Sequence, residues 1–185
     1  MSFLRRVLAF FAIAISVGLV SYAFNARSQA SDASEALLAV HTADPLDYAL
    51  VVDRVGDQAV LALLQPAEGT PADIAARLVA VRASAWLHAP EAALPVLAQL
   101  AQGTDPDLAP TAMHAALRIA ERLTRQDLDM READEGPLRE ALPLLEQLAS
   151  DESARADLRA AAERAHTRID ALLQIEPEEA LGEAQ

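Results

Sequence analysis

Ala93-Leu94-Pro95-Val96-Leu97-Ala98-Gln99-Leu100-Ala101 returns 48 positions later as Ala141-Leu142-Pro143-Leu144-Leu145-Glu146-Gln147-Leu148-Ala149. An internal repeat of this kind fixes an architecture, because each copy is one supersecondary unit that buries its apolar face only against its neighbour. The stretch after each copy tests the reading. Leu108, Ala112, Ala115 and Ile119 follow the first copy, and Leu158, Ala162, Ala165 and Ile169 follow the second, every pair offset by 50. Their spacing, i, i+4, i+7, i+11, is the apolar stripe of an amphipathic helix. An earlier stretch carries Ile74, Leu78, Val81 and Ala85 at the same spacing, 34 positions upstream. The longer second offset is accounted for by a charged insertion near residues 126–137.

The pattern predicts three helical hairpins. Their first helices cover about residues 57–64, 90–101 and 138–149, and their second helices residues 71–88, 105–125 and 151–173. Start and stop residues agree with this division. Asp57 after Gly56, Thr70 before Pro71, and Ser150-Asp151 read as N-caps. Pro90 suits a fresh start, Gly103 an end, and Asp105-Pro106-Asp107 the cap of the middle long helix. Residues 46–54 fit helix or strand, and helix is preferred because no second strand is available to pair with them. Residues 36–42 form a short helical candidate, and residues 126–135 either extend the preceding helix or form an exposed loop. Residues 174–185 read as an acidic, disordered tail.

Leu94-Pro95-Val96-Leu97 and Leu142-Pro143-Leu144-Leu145 resemble the proline-bearing first helix of HEAT repeats, and Asp105-Pro106-Asp107 resembles their acidic turn. The resemblance covers roughly residues 57–173. It implies an all-α fold, a short right-handed stack of about three antiparallel hairpins (a HEAT-like α-solenoid), working as a protein-binding surface. One departure is that Leu108-Ala109 stands where HEAT repeats usually place a Val-Arg pair, and Arg155 or Arg159 only roughly fills that place in the last hairpin. Tetratricopeptide repeats share the 34-residue period, but their Trp-Leu-Gly-Tyr signature is missing.

The N-terminus carries a second message. Arg5 and Arg6 precede an uncharged apolar run at residues 7–24. As a helix these 18 residues span roughly 27 Å, close to the hydrocarbon thickness of a bilayer. The arginine pair places the N-terminus in the cytoplasm and the rest across the membrane. Residues 1–30 are thus a signal anchor or a signal peptide cleaved near Ala30. The length of the run and Arg27 beside the cleavage position favour the anchor. Residues 31–56 form the exit segment and short helices. The expected location is the inner membrane, single-pass, with a periplasmic C-terminal domain; a cleaved chain would be soluble or secreted.

Composition narrows the partners. The chain of 185 residues has a net charge of −13, no cysteine and no lysine, so all 15 basic residues are arginine. Beyond residue 30 there are 12 arginines against 28 acidic residues, a net of −16. Such a domain repels nucleic acid and anionic lipid surfaces. Aromatic residues are 4% of the chain, so the core must be Leu, Ala, Val and Ile. The partners expected are other proteins of a membrane complex, plus the bilayer through residues 7–24.

No Gly-rich phosphate loop, Gly-x-Ser-x-Gly elbow or His-Glu-x-x-His pair is present among these residues, so no catalytic, cofactor or metal site is assigned. An enzyme or cofactor carrier on this fold would need a pocket lined by His88, His114 or His166 with perturbed acids. The repeat register instead aligns His114 and Arg118 with Arg164 and Arg168, and Arg122 and Arg125 extend the row. That strip suits an acidic partner segment, since the guanidinium presents a planar fork to carboxylates. The competing reading has these arginines pairing along their own helix, as Glu121 with Arg125 would at i, i+4. Trp86, the only tryptophan, is expected to pack against the next hairpin.

Overall fold

A computed structural model describes residues 45–65 and 74–175. The apolar run at 7–24, the helical candidate at 36–42, the Thr70-Pro71 start, His41 and residues 176–185 of the tail lie outside the described residues. Within them the chain is all-helical, with eight α-helices and no strand. The helices are α1 (Pro45–Val55), α2 (Asp57–Leu64), α3 (Ile74–Ala83), α4 (Leu94–Ala101), α5 (Leu108–Arg122), α6 (Arg125–Met130), α7 (Gly136–Ser150) and α8 (Ala156–Gln174). A 3-10 turn, Ser84–Trp86, closes α3, and another, Pro90–Ala93, opens α4.

The helical choice for residues 46–54 is borne out by α1, whose Tyr48 and Val52 are buried. α4 packs on α5, α7 on α8, α4 on α7, α5 on α8 and α3 on α5. Burial follows from these neighbours. α4 is covered by both α5 and α7, and buries Leu94, Val96, Leu97, Ala98 and Ala101. α7 packs on α8 and α4 and buries a narrower stripe, Leu138, Ala141, Leu145 and Leu148, at the 3-4-3 spacing of one helix face. α5 and α8, which pack on one another, both bury several small residues. Ala112, Ala115, Ala116 and Ala120 face the core from one side, and Ala161, Ala162 and Ala165 from the other. Small side chains let two helix axes approach closely.

The register that pairs α5 with α8 puts all eight of its residues inside. Leu108, Ala112, Ala115 and Ile119 are buried, as are Leu158, Ala162, Ala165 and Ile169. In α3 the same spacing holds only in part. Val81 and Ala85 are buried, but Ile74 is exposed. The motif proline differs too. Pro95 is in the first turn of α4, where an N–H has no intrahelical acceptor anyway, whereas Pro143 is in the interior of α7. There its missing N–H leaves the Arg139 carbonyl without the usual donor. Gly136 starts α7 early enough to put the proline mid-helix, while the first copy enters through a 3-10 turn.

Several expected ends are corrected. Gly56, not Asp57, occupies the N-cap position of α2, with φ 81. The Asp57 carboxylate accepts instead from the N–H groups of His88 and Ala89, at 3.2 and 3.0 Å. Ser150 ends α7, and Asp151 closes a turn by accepting from Ser153 N, while α8 begins only at Ala156. Asp105 does hold the start of α5, accepting from Leu108 N at 2.8 Å. The charged stretch after α5 does not extend that helix: Arg125–Met130 is a helix of its own, and residues 131–135 form a largely exposed turn. Thr124 and Asp127 form a reciprocal capping box that starts the separate helix α6.

Three helix-terminal carbonyls find arginines from later helices. Arg77 donates through Nε and Nη2 to Leu64 O at 3.1 and 3.0 Å. Arg122 donates to Ala85 O at 3.4 Å, and Arg168 to Leu123 O at 3.2 Å. A cationic donor suits the negative end of the helix dipole.

Candidate interaction face and a polar junction

The strip expected from the register lies on the solvent side of α5 and α8, where His114, Arg118, Arg122, Arg164 and Arg168 are all exposed. Their commitments differ. Arg122 and Arg168 make the carbonyl contacts just described, and the Arg122 guanidinium lies 4.9 Å from the centroid of the Trp86 ring. That stack is a cation–π contact that holds both side chains in place. Trp86 is half-buried against the core, so it packs on the helices that follow it. His114 Nδ1 donates to Pro110 O at 2.8 Å, within its own helix. Arg118 and Arg164 make no hydrogen bond or ion pair among the described residues. The two arginines belong to helices that pack on one another.

The Glu121–Arg125 pair is not formed. Arg125 turns to Glu135 at 2.7 Å and to Asp129, whose Oδ1 lies 2.9 Å from Nε but off the hydrogen-bond direction. Glu135 also accepts from Arg139 at 2.8 Å. The hydrogen bond from Arg125, then that from Arg139, holds the Glu135 carboxyl below the usual carboxylate range. Arg125 thus leaves the strip and ties α6 to the start of α7.

A second polar cluster gathers at residues 88–91, and only its histidine was singled out in the sequence. Glu91 is a buried charge, with a side chain 5% exposed. It meets Arg131 through two parallel contacts, Nη1–Oε1 at 3.1 Å and Nη2–Oε2 at 3.2 Å. The same guanidinium donates to His88 O at 2.6 Å and to Asp127 O at 3.1 Å. The His88 ring sits between two carboxylates, Nδ1 3.0 Å from Asp57 Oδ1 and Nε2 3.3 Å from Asp53 Oδ1. Burial works to raise the Asp57 carboxyl, but the hydrogen bonds from Ala89 and His88 outweigh it and hold the group below the ordinary carboxylate range.

Two concavities flank this cluster. One of about 230 Å³ is lined by His88, Arg122 and Arg131 over an apolar floor that includes Leu87 and Ile119. The other, of about 450 Å³, has His88, Glu91 and Arg131 beside Ala92 and Pro137. Of the three histidines any one of which an enzymatic pocket could use, His88 lines both, and His114 and His166 line neither. The His88 ring and the neighbouring acids are engaged with one another. Among the described residues no group of three or more His, Asp and Glu side chains is placed to hold a metal ion. No described helix is long and apolar enough to cross a membrane, and residues 7–24 are not among those described.

The sequence signal for Glu91 and Arg131 was weak. Glu91 follows Pro90 and reads as a first-turn acid, and Arg131 is one charge in a charged stretch. Only tertiary packing brings the two together across 40 positions. Comparison of the chain with protein-family models, with curated proteins and with solved structures finds no match.

Proposed function

We propose that this chain is a non-enzymatic interaction module, held on the periplasmic side of a bacterial inner membrane by residues 7–24, and that it serves as an accessory subunit of a membrane complex. Its helices form a short HEAT-like stack in which α4 and α7 are first helices and α5 and α8 second helices. The exposed side of α5 and α8 takes an acidic segment of a partner protein, with His114, Arg118 and Arg164 as the contacting groups and Arg122 and Arg168 at their flank.

The observation that carries this reading is the pair Arg118 and Arg164. On a chain of net charge −13, two exposed guanidinium groups on adjacent helices have no carboxylate partner among the described residues. Free forks of this kind are suited to bidentate capture of Asp or Glu. The test is Arg118→Glu with Arg164→Glu, which leaves the Arg168 clamp on Leu123 intact. Affinity capture from native membranes identifies the partner, and direct binding of its acidic segment to both proteins follows. The variant is expected to lose the interaction while keeping its fold, and equal binding by the two proteins sinks the proposal. The mass of the mature N-terminus separates the anchored form from one cleaved before Ser31.

A further inference from the structure

Gly56 is the whole of the connection between α1 and α2, and its φ of 81 with ψ of 156 is a conformation open to glycine and few others. A Cβ at that position would meet nothing within 4 Å. The joint is therefore special in its backbone and uncrowded around it. Asp53 precedes it on α1, Asp57 follows it on α2, and both carboxylates converge on one imidazole. Asp57 has further support from two backbone N–H groups, so it stays in place whatever the ring does. Asp53 is exposed and approaches only the ring.

A neutral imidazole has one N–H and one lone pair. It can donate to one of these carboxylates and must turn its lone pair toward the other. Only the imidazolium donates to both. We infer that Gly56 is a hinge and that His88 is its proton-operated clasp: the protonated ring staples α1 to α2 across the joint, and the neutral ring keeps Asp57 and releases Asp53. The buried Tyr48 and Val52 already hold α1 to the helical body, and the clasp adds to that hold on the element by which the preceding chain enters. This inference does not depend on the binding role of α5 and α8.

The other charged groups around His88 leave the proton to these two acids: Arg122, which lines the smaller concavity with it, donates to Ala85 O and stacks on Trp86. Arg131 on α6 reaches the His88 carbonyl rather than the ring, and Glu91 is committed to Arg131. Asp127 is occupied by Thr124, and Asp134 lines the larger concavity and accepts from Gly136 N. The hydrogen bond to Asp57, then the charge of Asp57, raises the His88 ring above its ordinary value of 6.5. A raised value means that the clasp is fully closed below pH 6.5 and opens as pH climbs through the higher folded value.

Amide hydrogen exchange of the full chain in zwitterionic detergent micelles tests this. Protection of α1 is read relative to α8 at pH 5.5 and pH 8.5, after correction for the intrinsic pH dependence of exchange. The wild-type ratio is expected to fall about two- to fivefold at the higher pH, the range of an exposed ion pair. His88→Gln should give the low ratio at both values. Asp53→Asn, at an exposed site, should abolish the response while leaving Asp57 engaged. A flat wild-type ratio, or a full response retained in Asp53→Asn, overturns the inference.

Discussion

Replacement of Arg131 by Ala removes one guanidinium that serves three groups on two separated stretches of chain: the Glu91 carboxylate, the His88 carbonyl and the Asp127 carbonyl. Breaking a fully buried ion pair from one side costs about 3–5 kcal/mol, because the remaining charge is left without a partner. Here the Glu91 side chain is 5% exposed but that of Arg131 is 32% exposed, so water enters as the arginine leaves and lessens the penalty. The expected loss is about 2–3 kcal/mol. Glu91→Gln keeps an acceptor for Arg131 and gives up only the charge, which should cost about 1–1.5 kcal/mol. The double variant should fall short of the sum by about 1 kcal/mol, since loss of Arg131 strands no buried charge once Glu91→Gln has removed it. Urea unfolding followed by the fluorescence of Trp86, the only tryptophan, measures all three midpoints. A loss under about 0.5 kcal/mol for Arg131→Ala, the level of an ordinary surface change, or strict additivity in the cycle, would refute the view that this pair holds α6 to the 3-10 turn before α4.

Leu97→Ala and Leu145→Ala, at equivalent places in the two motif copies and both fully buried, should each lower stability by about 2–5 kcal/mol in the same urea assay, whereas Gln99→Ala and Gln147→Ala on the exposed side should stay within about 0.5 kcal/mol. Gly56→Ala should cost about 1–3 kcal/mol through backbone conformation alone, as no atom obstructs the added methyl group; an unchanged midpoint would show that the α1–α2 joint does not need positive φ. The Glu135 carboxyl should titrate by NMR below the usual carboxylate range and move upward in Arg125→Gln more than in Arg139→Gln. A lowered folded value means that its stabilisation is present above the unfolded value and is lost as pH falls through the folded one, so acid should loosen the α6–α7 connection first there.

What the sequence disclosed and what it hid divide along a physical line. Helices α4, α5, α7 and α8 announce themselves because their apolar residues recur at helical spacing over several turns, and periodicity survives without knowledge of neighbours, whereas α1 fits helix or strand by pattern and is helical for want of a partner strand. Leu108 to Ile119 and Leu158 to Ile169 are buried at every stripe position for that reason. The fine ends were misjudged where a side chain had a choice of partner. Asp57 has the chemistry of an N-cap, yet the N–H groups of His88 and Ala89, 31 and 32 residues away, captured it. The local box of Thr124 and Asp127 was readable in principle, as Thr-x-x-Asp ahead of Leu128, but it was masked by the dense charge around it. In the expected strip, alignment by repeat picked out His114, Arg118, Arg122, Arg164 and Arg168, which are all exposed. It could not distinguish Arg122 and Arg168, which reach carbonyls of other helices, from Arg118 and Arg164, which do not. That difference depends on where neighbouring helices stop, a length no stripe encodes.

The arginine clamps on Leu64, Ala85 and Leu123 have a consequence for how the chain assembles. Each carbonyl sits at the end of an earlier helix, and each donor arrives on a later one, 13, 37 and 45 residues downstream. During synthesis the earlier end must stay hydrated until the later helix has emerged and docked, so the helical body closes behind the growing chain. A chain stopped before Arg168 leaves the Leu123 carbonyl without its clamp and the apolar face of α5 without α8. Interrupted products should therefore be ready substrates for quality-control proteases, while the clamp on Leu123 closes only when α8 settles.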